Sequence, residues 1–131
     1  MSQEKNQALP LIRILVVDGH PTFLHTAQSL LNADPRIEWT RGVQSGSEAI
    51  EQVTTRAPDL VVMEIRLPDG NGFEVGKVIK SVASSVQVVL MTVYETDLYS
   101  QAIVAAGLDG VIDKRDFNVA VRAWVDRLYT V

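Results

Sequence analysis

Five short apolar runs, each followed by a segment of helical spacing, constrain this chain more than any other feature. The first, Ile12-Arg13-Ile14-Leu15-Val16-Val17, is too continuously apolar for a strand that shows one face to water. Runs of that kind belong to parallel strands covered on both faces. Residues 37–43, 60–63 and 86–91 and the pair Val111-Ile112 repeat the signal. After the first run, Phe23, Leu24, Ala27, Leu30 and Leu31 recur at amphipathic-helix spacing, with Pro21 suited to the first turn and Asp34-Pro35 closing it. Ser45-Gly46-Ser47-Glu48 carries the capping-box pattern ahead of Ala49, Ile50 and Val53, and Ala57-Pro58 stops that helix. Val75, Val78, Ile79 and Val82 mark a third helix. Leu98, Tyr99, Ala102, Ile103 and Ala106 mark a fourth, with Gly107 as its C-cap, and Phe117, Ala120, Val121, Trp124 and Leu128 mark a fifth.

Strictly alternating strands and helices predict an α/β fold: a five-stranded parallel sheet, doubly wound, with crossover helices on both faces. The predicted domain runs over 11–131, after a loose lead-in over 1–10. With 131 residues, 47% of them hydrophobic and 21% charged, the chain fits one domain with a buried core. A net charge of -4 argues against direct nucleic-acid contact, which needs a basic footprint. There is no cysteine, so thiol chemistry is excluded. The polar N-terminus lacks a signal-peptide core, and no apolar run approaches the roughly 20 residues of a membrane span. A cytoplasmic protein is expected.

Function in open sheets of this type gathers at the carboxyl ends of the strands. Four polar residues fall there: Asp18, Glu64, Thr92 and Lys114. One polar residue at a strand end is ordinary, because the chain emerges into water. Two carboxylates, a hydroxyl and an ammonium converging on one rim form a pocket suited to a cation or a phosphoryl group. The turn formers Pro68-Asp69-Gly70-Asn71-Gly72 follow the third strand as a loop.

These residues carry a resemblance. The stretch from Ile14 through Asp18-Gly19-His20-Pro21, the stretch from Asp59 to Glu74 with its Pro68-Asp69-Gly70-Asn71-Gly72 loop, Met91-Thr92, and Gly110 to Lys114 resemble response-regulator receiver domains. The likeness is greatest to receivers of LuxR/NarL-type regulators, and it covers 12–128. It implies a CheY-like, flavodoxin-like (βα)5 fold in two-component (phosphorelay) signal transduction. It further implies a phosphoacceptor aspartate at the end of the third strand, fed by a sensor histidine kinase. An acidic pair after the first strand and a backbone carbonyl would hold Mg2+, and Thr92 and Lys114 would bind the phosphoryl oxygens.

The chain departs from that pattern at the positions that matter most. Glu64 stands at the phosphoacceptor position and Gly19 at the second metal-binding acid. The longer side chain moves the carboxylate outward by about 1.5 Å on ordinary bond lengths. Misplacement of about 1 Å can cost 10²-fold in rate. Asp18, Glu64 and the carbonyl of Arg66 remain as a metal remnant that predicts weak Mg2+ binding if any, so no cofactor is expected. With one acid fewer, a direct Glu64–Lys114 ion pair is expected, one that either mimics activation or only fills the pocket. Val93 stands where small residues are common and narrows access; Val111 replaces the usual switch aromatic; Arg115 replaces a frequent proline. Such concerted departures favour natural repurposing over a single engineered phosphomimic.

His20 and His25 offer no paired metal-ligand geometry, and Tyr99, Trp124 and Tyr129 are expected in packing. No P-loop or dinucleotide fingerprint supports nucleotide chemistry. The sequence therefore predicts a non-enzymatic pseudo-receiver that binds proteins, a sensor histidine kinase or a transcription regulator among them, with homodimerisation through the last two helices. The alternative is a phosphorylatable receiver cut from a LuxR-type transcription factor.

Overall fold

The computed structural model describes residues 9–130. Most of the predicted lead-in, residues 1–8, lies outside the described residues, as does Val131. Strands β1 (Ile12–Val17), β2 (Ile37–Val43), β3 (Leu60–Glu64), β4 (Gln87–Thr92) and β5 (Gly110–Asp113) form one parallel sheet in the order β2-β1-β3-β4-β5. Helices α1 (Pro21–Asn32), α2 (Gly46–Arg56), α3 (Gly72–Val82), α4 (Ser100–Ala105) and α5 (Phe117–Leu128) connect them.

Side chains alternate across the sheet into two cores. Ile14, Val16, Leu60, Val62, Val89 and Met91 meet α1 and α5 through Leu24, Leu31, Phe117 and Val121. Leu15, Val17, Val61, Met63, Val88 and Leu90 meet the other three helices through Ala49, Val53, Ile79 and Ile103. The three central strands are thus covered on both faces, and Ile14 to Val17 are fully buried. That is why their sequences read as unbroken apolar runs.

Local chemistry sets the helix ends. The Ser45 hydroxyl accepts from the Glu48 N–H, while the Glu48 carboxylate accepts from the Gln44 N–H rather than from that of Ser45. Gly107 takes φ +72° just past α4, the left-handed conformation expected of its C-cap role. The fourth helix is shorter than its spacing predicts: Thr96–Tyr99 is a 3₁₀ turn before α4 begins. Glu95 offers that turn no side-chain cap, and Leu98 is exposed, so little holds those residues in α geometry.

β1 lies between β2 and β3, which makes the carboxyl ends of β1 and β3 adjacent where the winding direction changes. Asp18 follows β1 and Glu64 ends β3. The described residues contain no helix long and apolar enough to cross a membrane.

Candidate functional site

Asp18 is completely buried, and its backbone N–H donates to the Val43 carbonyl at 3.0 Å, which fixes it at the rim. Its Oδ1 accepts from the His20 N–H at 2.9 Å and lies 2.8 Å from His20 Nδ1. Across the crevice, Glu64 reaches in from β3. Lys114 closes the group from the first residue of a 3₁₀ turn, Lys114–Asp116, after β5. Its Nζ donates to Glu64 Oε2 at 2.9 Å and lies 2.6 Å from Asp18 Oδ2. The ammonium also sits 4.5 Å from the centre of the Phe23 ring, which packs edge-on against Phe117. Burial works against the charge on Lys114, yet hydrogen bonding and attraction from Asp18 and Glu64 prevail and raise its pKa above the ordinary lysine value. It stays an ammonium.

The loop after β3 positions Glu64. Arg66–Leu67 pairs antiparallel with Gly70–Asn71, and the Gly72 N–H donates to the Ile65 carbonyl at 2.7 Å. A Cβ at Gly72 would meet the Glu64 carbonyl oxygen at 2.8 Å, so only glycine lets α3 start this close to the strand end. Asp69 accepts from the N–H groups of Gly46 and Ser47, joining the loop to the start of α2. Those two backbone hydrogen bonds lower its pKa. Asp113 similarly accepts from the N–H and guanidinium of Arg115, holding the turn from which Lys114 projects.

Thr92 is buried at the end of β4, where its hydroxyl accepts from the Tyr94 N–H at 3.1 Å. With Glu64, Ile65, Arg66, Met91, Val93, Tyr94 and Tyr99 it lines a cavity of about 130 Å3. Val93 is half-exposed at this cavity, and Val111 is partly buried against the core beneath α4. Gly19 adds no side chain, and a Cβ there would meet Pro68 Cγ at 3.2 Å. Asp18, Glu64 and Lys114 therefore converge, with Gly19 beside them and Thr92 and Val93 around the adjoining cavity.

One expectation needs correction. His20 does have a ligand-like geometry: its Nδ1 lies 3.9 Å from Glu64 Oε1 as well as 2.8 Å from Asp18 Oδ1. The signal was its position two residues after a strand-end acid, where the chain turns back over the rim. Tyr99 packs at 6.1 Å from Phe73, as expected of an aromatic in packing, but it also lines the cavity beside Glu64. His25 is exposed on α1.

Comparison with known proteins places this geometry in a family. A family model described as the response regulator receiver domain matches residues 14–123. The DNA-binding transcriptional activator DevR/DosR of Mycobacterium tuberculosis is 30% identical over 104 residues, 79% of this chain and 48% of that protein. This chain thus spans about half the length of that relative. A LuxR-family two-component response regulator from Aurantimonas superposes with a TM-score of 0.78 at 22% identity, covering 88% of this chain and 86% of the other. The response regulator domain of Thermotoga maritima CheB does so with a TM-score of 0.79 at 20% identity, over 92% and 98%. These two likenesses speak for the fold, and the match over 14–123 speaks for the family. The chain belongs to the receiver domains of two-component response regulators, CheY-like in fold and with bacterial relatives of the LuxR type.

Proposed function

We propose that this receiver works as a phosphorylation-independent protein-interaction module, a pseudo-receiver rather than an enzyme. One observation carries the reading: Lys114 Nζ already bridges Asp18 Oδ2 and Glu64 Oε2. The lysine and the acceptor-position carboxylate are joined directly. The donor set also argues against the family's Mg2+. Gly19 supplies no oxygen, one oxygen of each remaining acid faces an ammonium, and Asp18 Oδ1 faces an imidazole. Mg2+ favours octahedral oxygen ligands. Phosphoryl transfer without its metal loses the main charge neutraliser.

Protein partners are the natural readers of such a domain. Leu98 and Val104, before and on α4, and Val119 on α5 are more than 70% exposed, which supports contact with a partner, or with a second copy, through the last two helices. The net charge of -4 supports no direct role with nucleic acid, and a cytoplasmic site of action accords with the family. A phosphorylatable receiver, part of a longer LuxR-type regulator, is the second reading. It is favoured by the cavity beside Glu64 and by coverage of only half of DevR/DosR.

Incubation with Mg2+ and an acyl phosphate, followed by intact-mass measurement, is expected to leave the protein unmodified. A stable adduct of one phosphoryl group would sink the proposal. The double variant Gly19→Asp, Glu64→Asp is expected to gain phosphoryl acceptance, since placement and metal ligand both return. The Pro68 ring must then yield by a few tenths of an ångström to admit the new Cβ. A normally folded but inert double variant would mean that Pro68 or Val93 closes the site by itself.

A further inference from the structure

Lys114 occupies only the far side of the two carboxylates, touching Asp18 Oδ2 and Glu64 Oε2. The near oxygens, Asp18 Oδ1 and Glu64 Oε1, both face His20 Nδ1, at 2.8 and 3.9 Å. One imidazole nitrogen and two carboxylate oxygens thus lie within 4.8 Å of one another. Ligand atoms around a tetrahedral ion with bonds of about 2.0–2.1 Å stand roughly 3.3 Å apart. The three donors bracket that spacing, and the His20 side chain, 72% exposed, is free to adjust.

From this we infer that Asp18, His20 and Glu64 form a site for a divalent first-row transition ion such as Zn2+ or Co2+. The donor chemistry selects the ion. Imidazole nitrogen suits zinc, cobalt and nickel, whereas Mg2+ takes oxygen ligands and keeps its waters. Charge allows it as well: two carboxylates and one ammonium leave the cluster at minus one before an ion enters. Binding takes nothing from Lys114, because the ion uses the opposite oxygens. It takes the place of a proton on Nδ1, and the neutral ring then carries its proton on Nε2. The His20 backbone N–H can keep its bond to Asp18 Oδ1, which has a second lone pair. The ion would tie the start of α1 to the end of β3. The inference holds whether or not Glu64 accepts a phosphoryl group, so it stands apart from the proposal above.

The test is a titration of the tag-free chain with Co2+, followed by visible absorption, and with Zn2+, followed by calorimetry, both in millimolar Mg2+. One equivalent is expected to bind saturably. His20→Ala is expected to weaken binding by more than about 10-fold, since removal of even an outer partner of a metal ligand costs 10–100-fold. Glu64→Gln should weaken it as well, and His25→Ala should leave it unchanged. Absence of saturable binding, equal affinity in His20→Ala and the parent, or displacement of the ion by Mg2+ would each overturn the site. His20 makes no side-chain capping bond to α1, so the metal-free melt of His20→Ala checks that the variant folds.

Discussion

Two charge clusters fasten α5 to the rest of the domain, and they are built in opposite ways. At the carboxyl rim, buried Asp18 and partly buried Glu64 share one ammonium, that of Lys114, just before α5. Away from that rim, Asp34, 5% exposed, is surrounded by the guanidinium groups of Arg36 and Arg122. Asp34 Oδ1 accepts from the N–H and Nε of Arg36, and Oδ2 accepts from Arg36 Nη2 and Arg122 Nη1, all between 2.8 and 3.0 Å. Arg122 also donates to the Leu30 carbonyl and to Asn118, while Arg36 holds Asp126. Planar guanidinium groups satisfy a carboxylate on every side, whereas an ammonium is a point charge. The Asp34 cluster is balanced: two acids meet two arginines, and both oxygens of buried Asp34 are taken. The Asp18 cluster has one cation for two acids and a solvent-facing histidine. Buried charge completed by arginine is a fastening. Buried charge left one cation short is a site.

Removing the single cation should cost most. Lys114→Ala leaves Asp18 and Glu64 facing each other, with Asp18 unable to reach water. Breaking a buried pair costs 3–5 kcal/mol, and the slight exposure of Lys114 and Glu64 puts this case near about 3 kcal/mol. The variant should recover part of the loss in mild acid, where one of the crowded carboxylates can take a proton. Glu64→Gln with Lys114→Met, which removes both charges, should be milder. Thermal melts across pH 5 to 8 decide it: a Lys114→Ala melt equal to the parent at every pH would show that the bridge holds nothing.

Asp34→Ala should cost less, about 2 kcal/mol, the size that linkage gives a carboxyl held this far below its ordinary pKa, because Arg36 keeps Asp126 and both arginines can turn to water. Hydrogen bonds from Arg36 and its charge, against the penalty of burial, bring the Asp34 carboxyl from 3.8 down to about 2. A depressed carboxyl stabilises the fold fully above its ordinary pKa and loses that contribution as pH falls through the folded value. The parent should therefore lose stability between pH 4 and 2, while Asp34→Ala stays flatter there. The two clusters thus differ in kind: in acid the Lys114→Ala variant gains, whereas at Asp34 it is the parent that loses. Denaturant melts from pH 2 to 6 read this, and parallel curves for parent and Asp34→Ala would break the comparison.

The sequence made one of these clusters visible and hid the other. Asp18 and Glu64 directly follow apolar runs and Lys114 follows one after a single intervening residue, Asp113, so the strand ends bring all three to one rim. Asp34 and Arg122 are 88 residues apart, on a turn and a helix, and no periodic signal joins them. His20 escaped for a related reason, since its role depends on a two-residue bend and not on a repeat. The sheet was legible because central strands bury both faces. The opening turn of the fourth helix was not, because spacing cannot separate 3₁₀ from α geometry where the apolar residues stay exposed.

The smallest effect concerns the third side of the Lys114 ammonium, where the rim cluster has an aromatic face and the arginine cluster has none. Lys114 Nζ lies 4.5 Å from the Phe23 ring centre. Such contacts contribute about 0.5–1 kcal/mol when partly exposed. Phe23→Leu by itself cannot isolate this, because it also removes the edge contact with Phe117, at 5.2 Å, and some buried area. Those losses occur whether or not the lysine is present, so they cancel in a cycle of Phe23→Leu, Lys114→Met and both together. A coupling of about 0.5–1 kcal/mol is expected from equilibrium denaturation. If the changes instead add without coupling, the ring is only packing, and the two carboxylates alone hold the ammonium. A measured coupling would mean that α1 senses the charge state of the rim directly, through the same helix whose first turn follows His20.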